Sequence, residues 1–197
     1  MGTIIGKAAA ARMLAAQDKI MIITHVSPDG DTLGSGFALY HALSVLGKRV
    51  CVVNLMGQLN MDFSVDSPFR AMDALLKQQD ADVYVVDFHA EATSEKGAMA
   101  WHLDGKVQAL WGTHTHVPTA DGKVLPRGLG FITDAGMVGP VNSVLGMKPG
   151  QAVNRFLGGL PQRFEAAEGP CQLNAVLFTI DTVARRCLSV QRVDLWE

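Results

Sequence analysis

Val83-Tyr84-Val85-Val86-Asp87-Phe88-His89 is the stretch on which the fold turns. Its opening run of apolar and mostly β-branched residues is too short for a helix and predicts a buried strand. The strand stops at an acid and an imidazole. On the N-terminal side, Ser67-Pro68 reads as an N-cap and first helical residue. Phe69, Met72, Leu75 and Leu76 then give that helix its buried stripe. Further back, Val50 to Leu55 is a second apolar strand, and Ile20-Met21-Ile22-Ile23 is another. Between these two a helix is predicted from about Thr32 to Leu46, closed by Gly47-Lys48-Arg49. Residues 7–18, rich in Ala, Met and Leu, form a further helix.

On the C-terminal side, a helix starting at Thr93 or Ser94 runs to about Leu103. A fourth strand, Val107 to Trp111, follows and ends at Gly112-Thr113-His114-Thr115-His116. Turns dominate residues 117–150, with a helix near 149–158. Leu173–Ile180 and Leu188–Leu195 alternate around the Asp181–Arg186 turn and predict an antiparallel hairpin. The expected class is α/β: one domain over residues 1–197, a mostly parallel central sheet flanked by helices, and a C-terminal antiparallel hairpin.

Composition narrows the function. The chain has 197 residues, 48% of them hydrophobic and 18% charged, with a formal net charge of −2. Such a chain buries a core without staples. It shows no basic surplus for duplex nucleic acid or an anionic membrane. No run approaches the ~18 apolar residues of a spanning helix, so a cytoplasmic protein is expected. Cys51, Cys171 and Cys187 lack CxxC spacing and read as reduced strand or core residues.

Chemistry concentrates at the strand ends. Asp29-x-Asp31, Asp87-x-His89 and His114-x-His116 are each i, i+2 pairs of metal-capable side chains. An extended chain would put both members of a pair on one face. Sites in open α/β sheets lie outside the carboxyl ends of the strands. His25, Asp29, Asp31, Asp87, His89, His114 and His116 therefore form a candidate ligand set. It is larger than one ion with open positions requires, and it suits two ions bridged by a carboxylate. The mix of imidazole and carboxylate favours divalent transition metals: manganese first, with iron or zinc as alternatives, over Mg or Ca. Taken singly, each pair is a turn, cap or polar strand end; only their joint placement argues for a metal centre. His41 and His102 stand alone on predicted helices and are left out.

Two resemblances follow from these motifs. Thr24 to Ser35 (Thr-His-Val-Ser-Pro-Asp-Gly-Asp-Thr-Leu-Gly-Ser), followed by Ala38-Leu39-Tyr40-His41-Ala42-Leu43, resembles the first motif of the DHH phosphoesterases. This likeness covers about residues 19–50 and implies metal-ligand roles for His25, Asp29 and Asp31. From about Cys51 onward the chain resembles the YmdB-like metallophosphoesterases, relatives of the calcineurin-type fold. The stretches that carry this are Val52–Gly57, Val86–Lys96, Gly112–Val117, Thr119–Asp121, Ile132–Met137 and Gly169–Val176. That likeness implies that His89, His114 and His116 bind metal.

The chain therefore reads as a chimera, with a DHH-like segment at 1–50 and a YmdB-like segment at 51–197. The opening strands of the second family, with their bridging carboxylate and proton-donating histidine, do not precede the join. The later Asp-His-His run of the first family is also missing. Asp29 and Asp31 are expected to replace the lost carboxylates, with Asp87 as a bridge; Asp31, Asp87 and His116 are the expected catalytic residues. Together the resemblances imply a metal-dependent phosphodiesterase in which a metal-bound hydroxide attacks phosphorus. Without an evident general acid, activated aryl esters are the expected best substrates, with breadth towards mono- and triesters. The expected partners are a small phosphate ester and further copies of the chain in a homo-oligomer. The competing reading is a non-catalytic metal- or nucleotide-binding fold.

Overall fold

A computed structural model of the chain describes residues 50–61, 65–78 and 81–196. The elements expected at 7–18, 20–23 and 32–46 lie outside the described residues, as do His25, Asp29 and Asp31. Strand β1 (Val50–Met56), helix α1 (Pro68–Gln78), β2 (Val83–His89), α2 (Thr93–Leu103) and β3 (Ala109–Thr113) come first. Short strands β4 (Lys123–Val124), β5 (Gly130–Ile132) and β6 (Val138–Pro140) follow, then α3 (Pro149–Phe156). The long strands β7 (Cys171–Asp181) and β8 (Arg186–Trp196) close the order.

One five-stranded sheet runs β1-β2-β3-β5-β4. The β1/β2, β2/β3 and β3/β5 pairs are parallel, and β4 is an antiparallel edge. A second sheet, β6-β7-β8, is antiparallel throughout and contains the expected C-terminal hairpin. The α/β class with a mostly parallel central sheet and a C-terminal hairpin is as the sequence predicts. Two details differ. Strand β3 sits two residues later than expected, because Val107 instead bridges to Asp104. The expected loop at 117–150 contains β5, which occupies an interior position in the sheet.

The period-2 alternation of the strands separates two faces. Cys51, Val53, Leu55, Val86, Phe88 and Leu110 are buried in one core, joined by Met72 of α1 and by Met99, Ala100 and Leu103 of α2. The side chains of Asn54, Asp87, His89 and Thr113 alternate with those core residues and are half-buried. Trp111 meets Phe178 of β7 with ring centroids 6.1 Å apart, which docks the hairpin sheet on the parallel one. Cys51 and Cys187 are buried, and burial pushes the Cys51 thiol up to about 11. Among the described residues no helix is long and apolar enough to cross a membrane.

Candidate metal centre

His89 closes β2 and Thr113 closes β3, and the two are register partners across the parallel pair. Asp87 lies two residues before His89 and pairs with Asn54 on β1. This puts four polar side chains at the carboxyl end of the sheet. Thr113 Oγ1 donates to Asp87 Oδ1 at 2.7 Å. Its one proton is then committed, so at 3.1 Å it accepts from His89 Nδ1–H. The other carboxylate oxygen, Asp87 Oδ2, accepts from Asn54 Nδ2 at 3.0 Å. Asn54 Oδ1 is buried and has no hydrogen-bond partner among the described residues.

Beyond Thr113 the chain leaves the sheet. His114 and His116 have φ of 100° and 63°, so the extended geometry expected for this pair is corrected: the two rings are aimed by left-handed turns. Such backbone is costly for a residue with a Cβ and persists only where its surroundings enforce it. Here Thr115 is the anchor. Its Oγ1 donates to Asp134 Oδ2 at 2.8 Å and its N–H reaches the same oxygen at 3.3 Å. Lys96 Nζ lies 2.8 Å from that oxygen, with both charged side chains buried. Asp134 Oδ1 accepts from Gly136 N at 2.9 Å.

His89, His114 and His116 each have one ring nitrogen within reach of an oxygen acceptor. For His89 it is Nδ1 on Thr113. His114 Nε2 stands 3.2 Å from Glu91 Oε2, and His116 Nδ1 stands 3.4 Å from the Leu145 carbonyl. The remaining nitrogens of the first two, His89 Nε2 and His114 Nδ1, face each other at 3.2 Å. Two nitrogens ligating one first-row cation at ~2.0–2.1 Å stand roughly 3 Å apart, so the observed pair fits a shared cation. A cleft of about 470 Å³ opens beside them, lined by His89, Thr113, His114 and His116 and by apolar residues including Met137 and Met147. Among the described residues no three His, Cys, Asp or Glu side chains converge on one point. The remaining expected ligands, His25, Asp29 and Asp31, lie outside them.

Sequence reasoning assigned no role to Lys96, Asp134, Glu95 or Asp121. Glu95, in the first turn of α2, accepts from the backbone N–H groups of Gln58 and Leu59 and holds the loop after β1. Asp121 accepts from Thr119 Oγ1 at 2.7 Å and from Thr133 Oγ1 at 2.6 Å, tying 119–121 to the segment that carries Asp134. Burial raises the Asp121 carboxyl, but hydrogen bonds from Thr133 and Thr119 outweigh it and hold the group below the usual carboxylate value. A depressed folded value stabilises the fold above the unfolded value, about 3.9, and that stabilisation is lost as pH falls through the folded value. Asp121→Asn is therefore expected to be less stable than the native chain at pH 7, with the gap narrowing below pH ~4. Urea midpoints at pH 7 and pH 3 check this; an equal gap at both refutes it.

A 2',3'-cyclic-nucleotide 2'-phosphodiesterase of Bacillus subtilis is 40% identical over 168 residues, 84% of this chain and 62% of that protein. A putative phosphatase/phosphodiesterase of Mycoplasma pneumoniae is 38% identical, over 76% of this chain and 54% of that protein. The crystal structure of a hypothetical protein from Thermus thermophilus superposes with a TM-score of 0.73 at 42% identity, covering 77% of this chain and 59% of that one. The chain thus spans about half to three-fifths of the length of these relatives. A short stretch of 35 residues, 18% of this chain, is 54% identical to part of the bifunctional oligoribonuclease and PAP phosphatase NrnA of Thermus thermophilus, covering 11% of that protein. The model of the YmdB-like proteins, in contrast, matches residues 7–193, running across the join expected near residue 50. With strand-end histidines in place on a parallel sheet and a match over nearly its whole length, the chain belongs to the YmdB-like family.

Proposed function

We propose that the chain is a metal-dependent phosphoesterase acting on phosphodiesters, either of nucleotides or with activated aryl leaving groups, and tolerant of mono- and triesters. The observation that carries this reading is the facing pair His89 Nε2 and His114 Nδ1, 3.2 Å apart at the carboxyl ends of parallel strands. The names of the relatives, phosphodiesterase and phosphatase/phosphodiesterase, support the same reaction class. In this reading His89, His114 and His116 are joined by His25, Asp29 and Asp31, contributed by a DHH-like first segment spliced near residue 50. Two divalent cations, manganese first, would polarise the phosphoryl oxygens and lower the pKa of a water. The chain's own contribution is to aim the imidazoles, each with its outer N–H on a fixed acceptor, and to offer the substrate a cleft with apolar walls. His116, exposed at the rim of the cleft, would face the incoming ester. The reading places no proton donor at the leaving group, which is why activated esters should turn over fastest. Phe156, Leu157 and Leu160 are each at least 80% exposed, and the proposed homo-oligomer would bury such apolar surface.

The test is hydrolysis of a panel of aryl phosphate esters after chelation and re-addition of Mn, Fe, Zn or Mg. Chelation is expected to lower turnover at least a hundredfold, and manganese to restore it. Undiminished turnover in the chelated protein would refute the metal-dependent reading. Fewer than one transition metal per chain, with no turnover under any condition, would favour the alternative of a non-catalytic binding fold.

A further inference from the structure

We propose that Asp87 and Thr113 form a proton-holding relay that fixes the tautomer of His89, so that Asp87 acts on the metal centre through Thr113. The inference rests on the metal-centre reading above and adds a role for residues that reading leaves unused.

A threonine hydroxyl has one proton and an ionised carboxylate has none. Thr113 Oγ1 lies 2.7 Å from Asp87 Oδ1 and 3.1 Å from His89 Nδ1. The short contact to the carboxylate takes the hydroxyl proton. The hydroxyl oxygen can then meet Nδ1 only as an acceptor, so Nδ1 carries the ring proton. The lone pair is left on Nε2, the nitrogen that faces His114 Nδ1. A metal-ligating imidazole is commonly oriented by a carboxylate on its other nitrogen. In this chain a hydroxyl is interposed between the two.

The fold explains why a threonine is needed. His89 and Thr113 are register partners, while Asp87 sits one pleat back on the same strand as His89. Asp87 and His89 therefore stand side by side on one face of the sheet, and the hydroxyl from the neighbouring strand spans the gap between them. Asn54, the register partner of Asp87 on β1, donates to the second carboxylate oxygen and so holds the group from its other side. Three adjacent parallel strands thus supply the four members: the amide from β1, the carboxylate and imidazole from β2, the hydroxyl from β3.

Thr113→Val keeps the shape of the side chain and removes the relay, whereas Thr113→Ser keeps the hydroxyl. The full-length chain, stripped of metal, is titrated with Mn²⁺ and binding is followed by loss of the free Mn²⁺ spin-resonance signal. Thr113→Val should bind manganese 10–100-fold more weakly, and Thr113→Ser within about threefold of the native chain. Nitrogen NMR of labelled imidazoles supplies a readout that packing alone would not move. The metal-free native protein should show His89 protonated at Nδ1, and Thr113→Val should show both tautomers. His89→Ala separates the two ideas. If His89→Ala loses manganese while Thr113→Val keeps native affinity and tautomer, the relay is refuted and the metal centre stands. If His89→Ala binds manganese as the native chain does, the metal-centre reading fails and the relay with it.

Discussion

Lys96→Met is expected to destabilise the folded chain by about 3–5 kcal/mol, the usual cost of removing one partner from a buried ion pair. Lys96 and Asp134 are 0% and 1% exposed and 2.8 Å apart. The methionine fills most of the lysine's volume, so little of the loss comes from a cavity. What remains is a buried carboxylate with hydrogen bonds from Thr115 and Gly136 but no cation. Asp134→Asn should be nearly as damaging, because it leaves a buried ammonium facing a neutral amide. The double variant Lys96→Met/Asp134→Leu should recover part of the loss, since no unpaired charge is left, but not all of it. Thr115 would lose its acceptor, and the left-handed turns at His114 and His116 would lose the contact that holds them. Urea midpoints for the two single variants and the double variant decide the matter. A loss under ~1 kcal/mol in Lys96→Met would mean that water reaches the pair and that it supports nothing.

This ion pair also shows where the sequence was legible and where it was not. Runs such as Val83–Val86 report burial directly, because a strand covered on both faces must be apolar throughout. The stripe of Phe69, Met72, Leu75 and Leu76 reports α1 in the same way. Strand-end positions of Asp87, His89 and His114 were readable because the parallel topology sends all strand ends to one edge. The interior strand β5 was not. It is three residues long and begins with Gly130, whose small size is required by Cys187 Sγ and the Phe178 ring, contacts made more than forty residues along the chain. The Lys96–Asp134 pair joins residues 38 positions apart, and each type is ordinarily solvated. One local signal did exist. Lys96, Met99, Ala100 and Leu103 are the buried residues of α2, and they fall at i, i+3, i+4 and i+7. A lysine on the apolar stripe of a helix asks for a buried acid. The backbone turns at His114 and His116 left only a faint trace: histidine is enriched at positive φ, but such backbone remains uncommon for any residue with a Cβ.

Gly112→Ala and Gly97→Ala should move stability in opposite directions, although the chemical change is identical. Gly97 lies inside α2 with nothing within 4 Å of the position a Cβ would take. Alanine there is expected to stabilise by about 0.5–1 kcal/mol, by restricting the unfolded chain and favouring the helix. Gly112 lies in β3, where an added Cβ would sit 1.8 Å from the Thr133 carbonyl oxygen and 2.7 Å from Lys96 Cδ. The first of these neighbours is backbone and cannot rotate away. It is held by Thr133 N–H on Asp121 and by Ala135 N–H on the Gly112 carbonyl. Relieving the overlap means pushing the 133–135 segment off the sheet, and that segment carries Asp134. The substitution therefore combines overpacking with damage to the buried ion pair, and a loss of at least ~3 kcal/mol is expected. The close approach also bears on the proposed metal centre, because Thr113 and His114 follow directly. Any Gly112→Ala protein that still folds should bind manganese at least tenfold more weakly than the native chain, while Gly97→Ala should bind it normally. A Gly112→Ala chain with native urea midpoint and native manganese affinity would show that the strand end yields readily, and that neither Lys96 nor the histidine turn depends on this contact.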